Sequence, residues 1–250
     1  MLSRKEVMKF MHSQVRQIIG DAAKPFGYKF RVGNGSYVLN RKYDHKNSSL
    51  KDKIIIGYDG LSYAGMPISV DKTYCEVQNL ISPVIGKRYP KYLEQTEQEF
   101  TVYLFHFFHL MNVYRDKYYL IDEPLSSSTD EEEIPRKIEM VKEYILEVII
   151  PELNKMNDLH YLHKWLMSII DVKHGVNYWG ALQAWDHSQF HGFKHMAISK
   201  LIGGLDYEKV CAKMEEFIDG MRNETEPKYT NLKPTYEELR EYLDKWEKGK

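Results

Sequence analysis

Apolar residues near the start of the chain recur every three to four positions. Over residues 7–22 they form a single stripe, which predicts an amphipathic helix. Ser3 and Glu6 precede the stripe with the spacing of a capping box, in which each side chain satisfies a free backbone N–H group. A proline and a glycine within residues 25–27 end the pattern and predict the end of the helix.

The pattern then changes to a two-residue alternation that is typical of strands. Residues 28–32 alternate aromatic or branched apolar side chains with basic ones. Residues 33–35, Gly-Asn-Gly, tolerate positive φ and predict a hairpin turn that leads into a return strand over 36–43. Residues 44–52 are interpreted as a polar loop. Further strands are predicted at 54–56, 68–74 and 100–108.

Helical spacing dominates the second half of the chain. The predicted helices cover residues 138–153, 159–169, 190–201, 210–221 and 235–246. Pro151 predicts a kink or break in the first of them. Asp158 and Asp206 are predicted helix caps, and Thr235 with Glu238 is predicted to open the last helix. Residues 203–204, Gly-Gly, predict a left-handed helix end.

Because strands crowd into the first half and helices into the second, the sequence predicts an α+β fold. An antiparallel sheet from the N-terminal half would pack against helices mainly from the C-terminal half. We expect a single α+β domain over residues 1–222. Residues 223–250 would form a linker and a C-terminal helix, which packs on that domain or extends from it.

The charge balance argues against a nucleic-acid or membrane partner. Lys and Arg total 35 and Asp and Glu total 36, so the net charge of -1 gives no long-range attraction to phosphate or anionic lipid. The N-terminus lacks the apolar core of a signal peptide, and the apolar runs are far shorter than the ~20 residues that span a bilayer. With only Cys75 and Cys211, the chain fits a reducing compartment, and we expect a cytoplasmic protein.

The placement of the histidines is the sequence feature that most suggests a metal site. Eight of the ten histidines lie between His106 and His195. His187, His191 and His195 are four residues apart, so on a helix they would share a face and could offer imidazoles to one metal ion. However, His191 and His195 also lie at the edge of the apolar stripe, where half-buried histidines are common. The sequence therefore predicts no metal and no cofactor. If a metal ion is bound, these three histidines are the candidate ligands.

Other candidate residues favour structural interpretations. His160 and His163 share a helical face and are predicted to lie at a packing edge, whereas His106 and His109 would point to opposite faces of a strand. The aromatic segment 178–185 could line a ligand groove or a partner surface, but packing between sheet and helices is favoured. No serine or cysteine stands in a nucleophile motif, and the sequence has neither a GxGxxG nor a P-loop pattern, so no catalytic residue is assigned.

Three short segments together resemble a known family. They are residues 25–30 (PFGYKF), 144–153 (YILEVIIPEL) and 197–208 (AISKLIGGLDYE). Their order resembles a bacterial family of uncharacterised α+β domains, some of which occur beside polymorphic toxin genes and are regarded as immunity proteins. The resemblance covers about residues 3–220 and fails at 172–187 and beyond 223. It implies a protein partner and carries over no site residues.

The sequence thus favours a non-enzymatic protein-binding protein, and the resemblance adds a toxin-neutralising role. Its tyrosines, phenylalanines and tryptophans number 19, 10 and 4, a composition that suits amphipathic contact surfaces. Two alternatives stay open. One is a metal-dependent hydrolase that uses the face formed by His187, His191 and His195. The other is a small-molecule binding domain with its pocket between sheet and helices.

Overall fold

The computed structural model of the chain describes residues 4–33, 35–43, 50–57, 66, 68–90, 102–103, 133–170, 191–220 and 230–247. The strands are β1 (Lys29–Gly33), β2 (Ser36–Lys42), β3 (Leu50–Gly57), β4 (Ile68–Tyr74) and β5 (Val102–Tyr103). The helices are α1 (Arg4–Val15), α2 (Cys75–Arg88), α3 (Glu133–Tyr144), α4 (Ile150–Lys155), α5 (Leu159–Ile169), α6 (His191–Leu201), α7 (Tyr207–Gly220) and α8 (Leu232–Lys245).

The described residues group into two compact units. The first draws on the described residues within 4–43, 50–72 and 133–155, and the second on those within 73–103 and 156–247. The predicted α8 lies in the second unit, and the predicted domain boundary at residue 222 stays a prediction. None of the helices in the described part of the chain is both long and apolar enough to cross a bilayer.

The sheet is antiparallel, and β1 to β4 stand side by side in chain order, with the short β5 continuing that order. The hairpin joining β1 to β2 pairs Gly33 with Ser36, as the Gly-Asn-Gly turn predicts. Buried positions alternate along β2 and β3, so Tyr37 of β2 and Ile56 of β3 face each other with no exposed area. The predicted α+β class, with a sheet in the N-terminal half and most helices in the C-terminal half, is confirmed.

The first unit holds two helical segments that each contain a π-helical turn. The first segment passes from α1 through the turn Arg16–Gly20 and ends at Gly27, within the residues 25–27 where the sequence predicts the helix to stop. Gly27 has a left-handed φ of 84°. In the second segment, the turn Ile145–Ile149 separates α3 from α4. Pro151 lies in the first turn of α4, and the helical backbone continues through it to Lys155. The predicted break is therefore not found, and the predicted kink stays a prediction.

In the second unit, α6 is buried on all sides. Every residue from 192 to 199 is buried, and the helix packs against α2, α5, α7 and α8. The expectation that His195 lies half-buried at the edge of an apolar stripe is therefore wrong, because neighbouring helices cover this side chain as well. The left-handed glycines that end α6 are confirmed, with φ values of 90° for Gly203 and 81° for Gly204.

Two predicted starts of elements change. Residues 50–52 belong to β3 rather than to a polar loop, because their side chains continue the alternation of the strand. Helix α8 begins at Leu232 rather than at Thr235. Pro234 fits the first turn of α8, where its missing N–H would have no intrahelical partner anyway. Thr235 lies inside the helix, and its hydroxyl donates a hydrogen bond to the Asn231 carbonyl at 2.7 Å.

Several predictions concern residues outside the described ranges. They are the Ser3 cap, most of the strand predicted over 100–108, the pair His106 and His109, and the aromatic segment 178–185. These interpretations stay predictions.

Candidate functional site

The carboxylate of Asp52, in the first unit, accepts hydrogen bonds from four buried or half-buried side chains. Asp52 of β3 lies directly opposite Arg41 of β2 in the strand register. Its Oδ2 accepts from Arg41 Nε at 3.0 Å, Arg41 Nη2 at 2.6 Å, Tyr28 at 3.1 Å and Tyr43 at 2.7 Å. Its Oδ1 accepts from Lys72 Nζ of β4 at 2.7 Å. Both carboxylate oxygens are thus engaged by donors of the protein itself.

The guanidinium of Arg41 lies over two tyrosine rings. Its central carbon is 4.6 Å from the Tyr28 ring centre and 4.4 Å from the Tyr43 ring centre. Both rings supply cation–π attraction in addition to the charged hydrogen bonds. Burial lowers the pKa of Lys72, an effect that the negative charge of Asp52 opposes. Burial, reinforced by that same charge, raises the pKa of Tyr28.

The same cluster ties the sheet to α4 within the first unit. Arg41 Nη2 donates to the Asn154 side-chain oxygen at 2.8 Å, and Lys72 Nζ donates to the Leu153 carbonyl at 3.1 Å. Donors from four side chains of the fold thus occupy both oxygens of the Asp52 carboxylate. We therefore interpret the Asp52 cluster as a structural element.

A second polar chain runs through the second unit and joins α5, α6 and the residue before α7. His195 Nε2 of α6 lies 3.1 Å from His163 Nδ1 of α5, and His163 Nε2 lies 3.2 Å from an Asp206 oxygen. His195 is fully buried and His163 is 1% exposed, whereas the Asp206 side chain is 45% exposed. Burial, together with the neighbouring His163, lowers the pKa of His195 well below its usual value.

These contacts bear on the predicted histidine face. His195 points to His163 on another helix, a pairing that the spacing of His187, His191 and His195 does not suggest. His187 lies outside the described residues, and so does the side chain of His191. Among the described residues, no group of three or more His, Cys, Asp or Glu side chains could hold a metal ion. The metal hypothesis therefore stays a prediction for the residues beyond them.

The structure also places three other residues named by the sequence predictions, His160, Asp206 and Asp158. His160 is exposed while His163, three residues later, is buried, so the pair does not form one shared edge. Asp206 has a positive φ of 53°, and its backbone carbonyl accepts the Val210 N–H at 3.0 Å at the start of α7. Asp158 caps α5 as predicted, accepting the His160 N–H at 2.9 Å.

A groove of about 680 Å³ lies between α7 and α8 in the second unit. It is lined by two largely apolar side chains, five carboxylates and three cations: Ile218, Tyr236, Glu215, Asp219, Glu237, Glu241, Asp244, Lys233, Arg240 and Lys245. Ile218 and Tyr236 are buried, while the carboxylates are exposed. The groove thus combines an apolar floor with a charged rim.

A network of hydrogen bonds holds the two walls of the groove together. Glu215 of α7 accepts from the Tyr236 hydroxyl at 2.6 Å and from Arg240 Nη1 at 2.7 Å. Arg240 Nη2 donates to Glu208, about two helical turns before Glu215 in α7, at 2.8 Å. Glu208, early in α7, contacts Arg240 of α8, whereas Glu215, later in α7, contacts the earlier residue Tyr236. The two helices therefore run antiparallel. Burial and the bond to Glu215 raise the pKa of Tyr236.

Sequence reasoning missed the Asp52 cluster, although a signal for it exists. Leu50, Asp52, Ile54 and Ile56 occupy alternate positions of one strand, so a carboxylate takes an inward position among apolar residues. Such a position implies a buried cationic partner, because an unpaired charge there would be costly. The sequence alone does not say which cation supplies it.

No protein-family model, curated protein or solved structure gives a significant match to this chain. The resemblance to the bacterial α+β family therefore stays a prediction.

Proposed function

We propose that this chain is a cytoplasmic bacterial protein that binds another protein without catalysing a reaction, and that the partner is a toxin which it neutralises. The observation that carries the proposal is the groove between α7 and α8. Tyrosine and arginine dominate the binding energy of many protein interfaces, and Tyr236 and Arg240 lie in this groove with their polar groups already oriented.

The interior charges support the same conclusion. Asp52 is saturated by donors from Tyr28, Tyr43, Arg41 and Lys72, and it therefore serves the fold. His163 and His195 use ring nitrogens on each other and on Asp206. Ionisable groups that bind one another in this way stabilise a scaffold, and a rigid scaffold presents a preformed surface to a partner.

Affinity capture from the source cell tests the proposal. The tagged full-length chain serves as bait, and any captured protein is then produced separately and mixed with the purified chain. We expect a defined stoichiometric complex on gel filtration, with the covalent structure of both proteins unchanged. We also expect the partner to arrest growth when expressed alone and this arrest to be relieved when the chain is co-expressed.

Two results would overturn the proposal. One is the failure of repeated captures, with and without chemical cross-linking, to recover any specific protein. The other is chemical conversion of the captured molecule by the chain, which would make the chain an enzyme.

A further inference from the structure

Building on the proposed function, we propose that the groove between α7 and α8 receives a segment of the partner that is rich in lysine or arginine. The groove lining carries five carboxylates and three cations, which leaves a net charge of -2. Charge complementarity of this kind selects partners and speeds their association. A basic segment is therefore the occupant that the lining favours.

The cations of the lining are mostly engaged already. Arg240 is bound by Glu215 and Glu208, and Lys245 is paired with Glu241 one turn away on α8. These pairs also occupy Glu215 and Glu241, and Asp244 is paired with Lys200 of α6 at 3.0 Å, while the third cation, Lys233, is exposed. By contrast, Asp219 and Glu237 form no hydrogen bond or ion pair with other residues in the described part of the chain. These two carboxylates are available to an incoming cation.

The carboxylates are also arranged in a row. Glu237, Glu241 and Asp244 follow one another at spacings of four and three residues, so they lie along one side of α8. Asp219 stands on the opposite wall, in α7. A cationic side chain that enters the groove would therefore meet carboxylates on both walls.

The floor of the groove suits the stems of long basic side chains. Tyr236 is 5% exposed and Ile218 is 8% exposed, and both line the groove. Lysine and arginine pack their methylene stems against such apolar surface while their charged ends reach polar groups. The net negative lining would repel nucleic acid. It would also repel the same groove on a second copy of this chain.

A peptide titration tests the inference without requiring the natural partner. The probe is a fluorescent peptide of about ten residues that alternates lysine and leucine, long enough to follow two turns or more of a helix groove. A peptide with glutamate in place of lysine is the matched control. We expect the full-length chain to bind the lysine peptide and to bind the glutamate peptide at least about tenfold more weakly.

Charge reversal places the binding in the groove. The variant Glu237→Lys/Glu241→Lys changes two exposed groove residues, and Glu143→Lys/Glu216→Lys changes the net charge equally at exposed positions outside the lining. We expect the groove variant to bind the lysine peptide at least about tenfold more weakly than the control variant, because like charges would face each other. Circular dichroism and unfolding midpoints check that both variants fold, and Glu237→Gln/Glu241→Gln is the milder substitute.

Three outcomes would overturn the inference. They are equal binding of the lysine peptide by the groove and control variants, preference for the glutamate peptide, and self-association of the chain that the groove variant abolishes. The inference and the proposed function fail in distinguishable ways. A captured toxin that binds the groove variant and the wild type equally refutes only the inference, whereas absence of any protein partner refutes the proposed function.

Discussion

Lys72 and Asp52 form an ion pair in which neither side chain has any exposed area, with Nζ 2.7 Å from Oδ1. Such a pair is costly to desolvate, and its attraction compensates only when the remaining polar atoms are also satisfied. Here the other carboxylate oxygen accepts from Arg41, Tyr28 and Tyr43. One carboxylate thus balances two cations, so its removal and the removal of a cation have different consequences.

Asp52→Ala should lower the free energy of unfolding by about 3–5 kcal/mol, because it leaves Arg41 and Lys72 buried without a counter-charge. Urea unfolding followed by circular dichroism measures this loss. Asp219→Ala, at an exposed carboxylate, is the matched control and should change stability by less than about 0.5 kcal/mol. A loss for Asp52→Ala similar to that of the control would contradict a structural role for the cluster.

Lys72→Met should be less harmful than Asp52→Ala, with a loss of about 1–2 kcal/mol. Asp52 keeps Arg41 as its counter-charge, and the methionine fills most of the space that the lysine stem occupied. Desolvation already disfavours the charged lysine, as the lowered pKa of Lys72 indicates. The same urea experiment compares the two variants, and an equal or larger loss for Lys72→Met would refute this asymmetry.

Stability should fall as the pH drops below about 6.5, because buried His195 resists protonation in the folded state. The pKa of His195 is lowered on folding, so below the unfolded pKa the unfolded chain binds more protons. The stability that neutral His195 contributes is fully present above about pH 6.5. As the pH falls from there towards the folded pKa, it is lost at up to about 1.4 kcal/mol per pH unit. Unfolding free energies measured between about pH 7.5 and about pH 5 reveal the slope.

His195→Gln should flatten this pH dependence, since the side chain no longer titrates. His160→Gln is the control, because His160 is exposed and lies on α5, the helix that carries His163. We expect the control to keep the wild-type slope. A wild-type slope that survives in His195→Gln would show that other groups cause it.

Local features of the fold were predictable where a short segment decides them alone. The hairpin at Gly33 and Gly35, the left-handed Gly203 and Gly204, and the Asp158 cap depend on neighbouring residues, and the sequence patterns predict all of them. The fold class follows from the order of such elements.

Contacts between elements were not predictable in this way. His163 and His195 are 32 residues apart on different helices, and the chain holds eight other histidines that the sequence offers equally as partners. Arg41 and Lys72 meet Asp52 only because β2, β3 and β4 lie side by side in the sheet, with Arg41 directly opposite Asp52. The groove depends on α7 and α8 running antiparallel, and neither apolar stripe contains that information.

Gly204→Ala should lower the free energy of unfolding by about 1 kcal/mol, because a residue with a Cβ is strained at its φ of 81°. Gly220→Ala is a matched control, since a Cβ meets nothing within 4 Å at either position and Gly220 lies in helix α7 without a positive φ. The control should be neutral or slightly stabilising. Equal effects of the two substitutions in urea unfolding would exclude backbone strain as the cause.

The two cysteines should react with thiol reagents at very different rates. Burial raises the pKa of Cys211 to about 11, whereas Cys75 is only half-buried at the start of α2. Because the thiolate is the reactive form, about a thousandth of the Cys211 thiol is reactive at about pH 8 even before access is considered. We expect Cys75→Ser protein to resist a chromogenic disulfide reagent until denaturant is added, and Cys211→Ser protein to react in its native state. Rapid labelling of folded Cys75→Ser protein would mean that the packing of α7 around Cys211 opens readily.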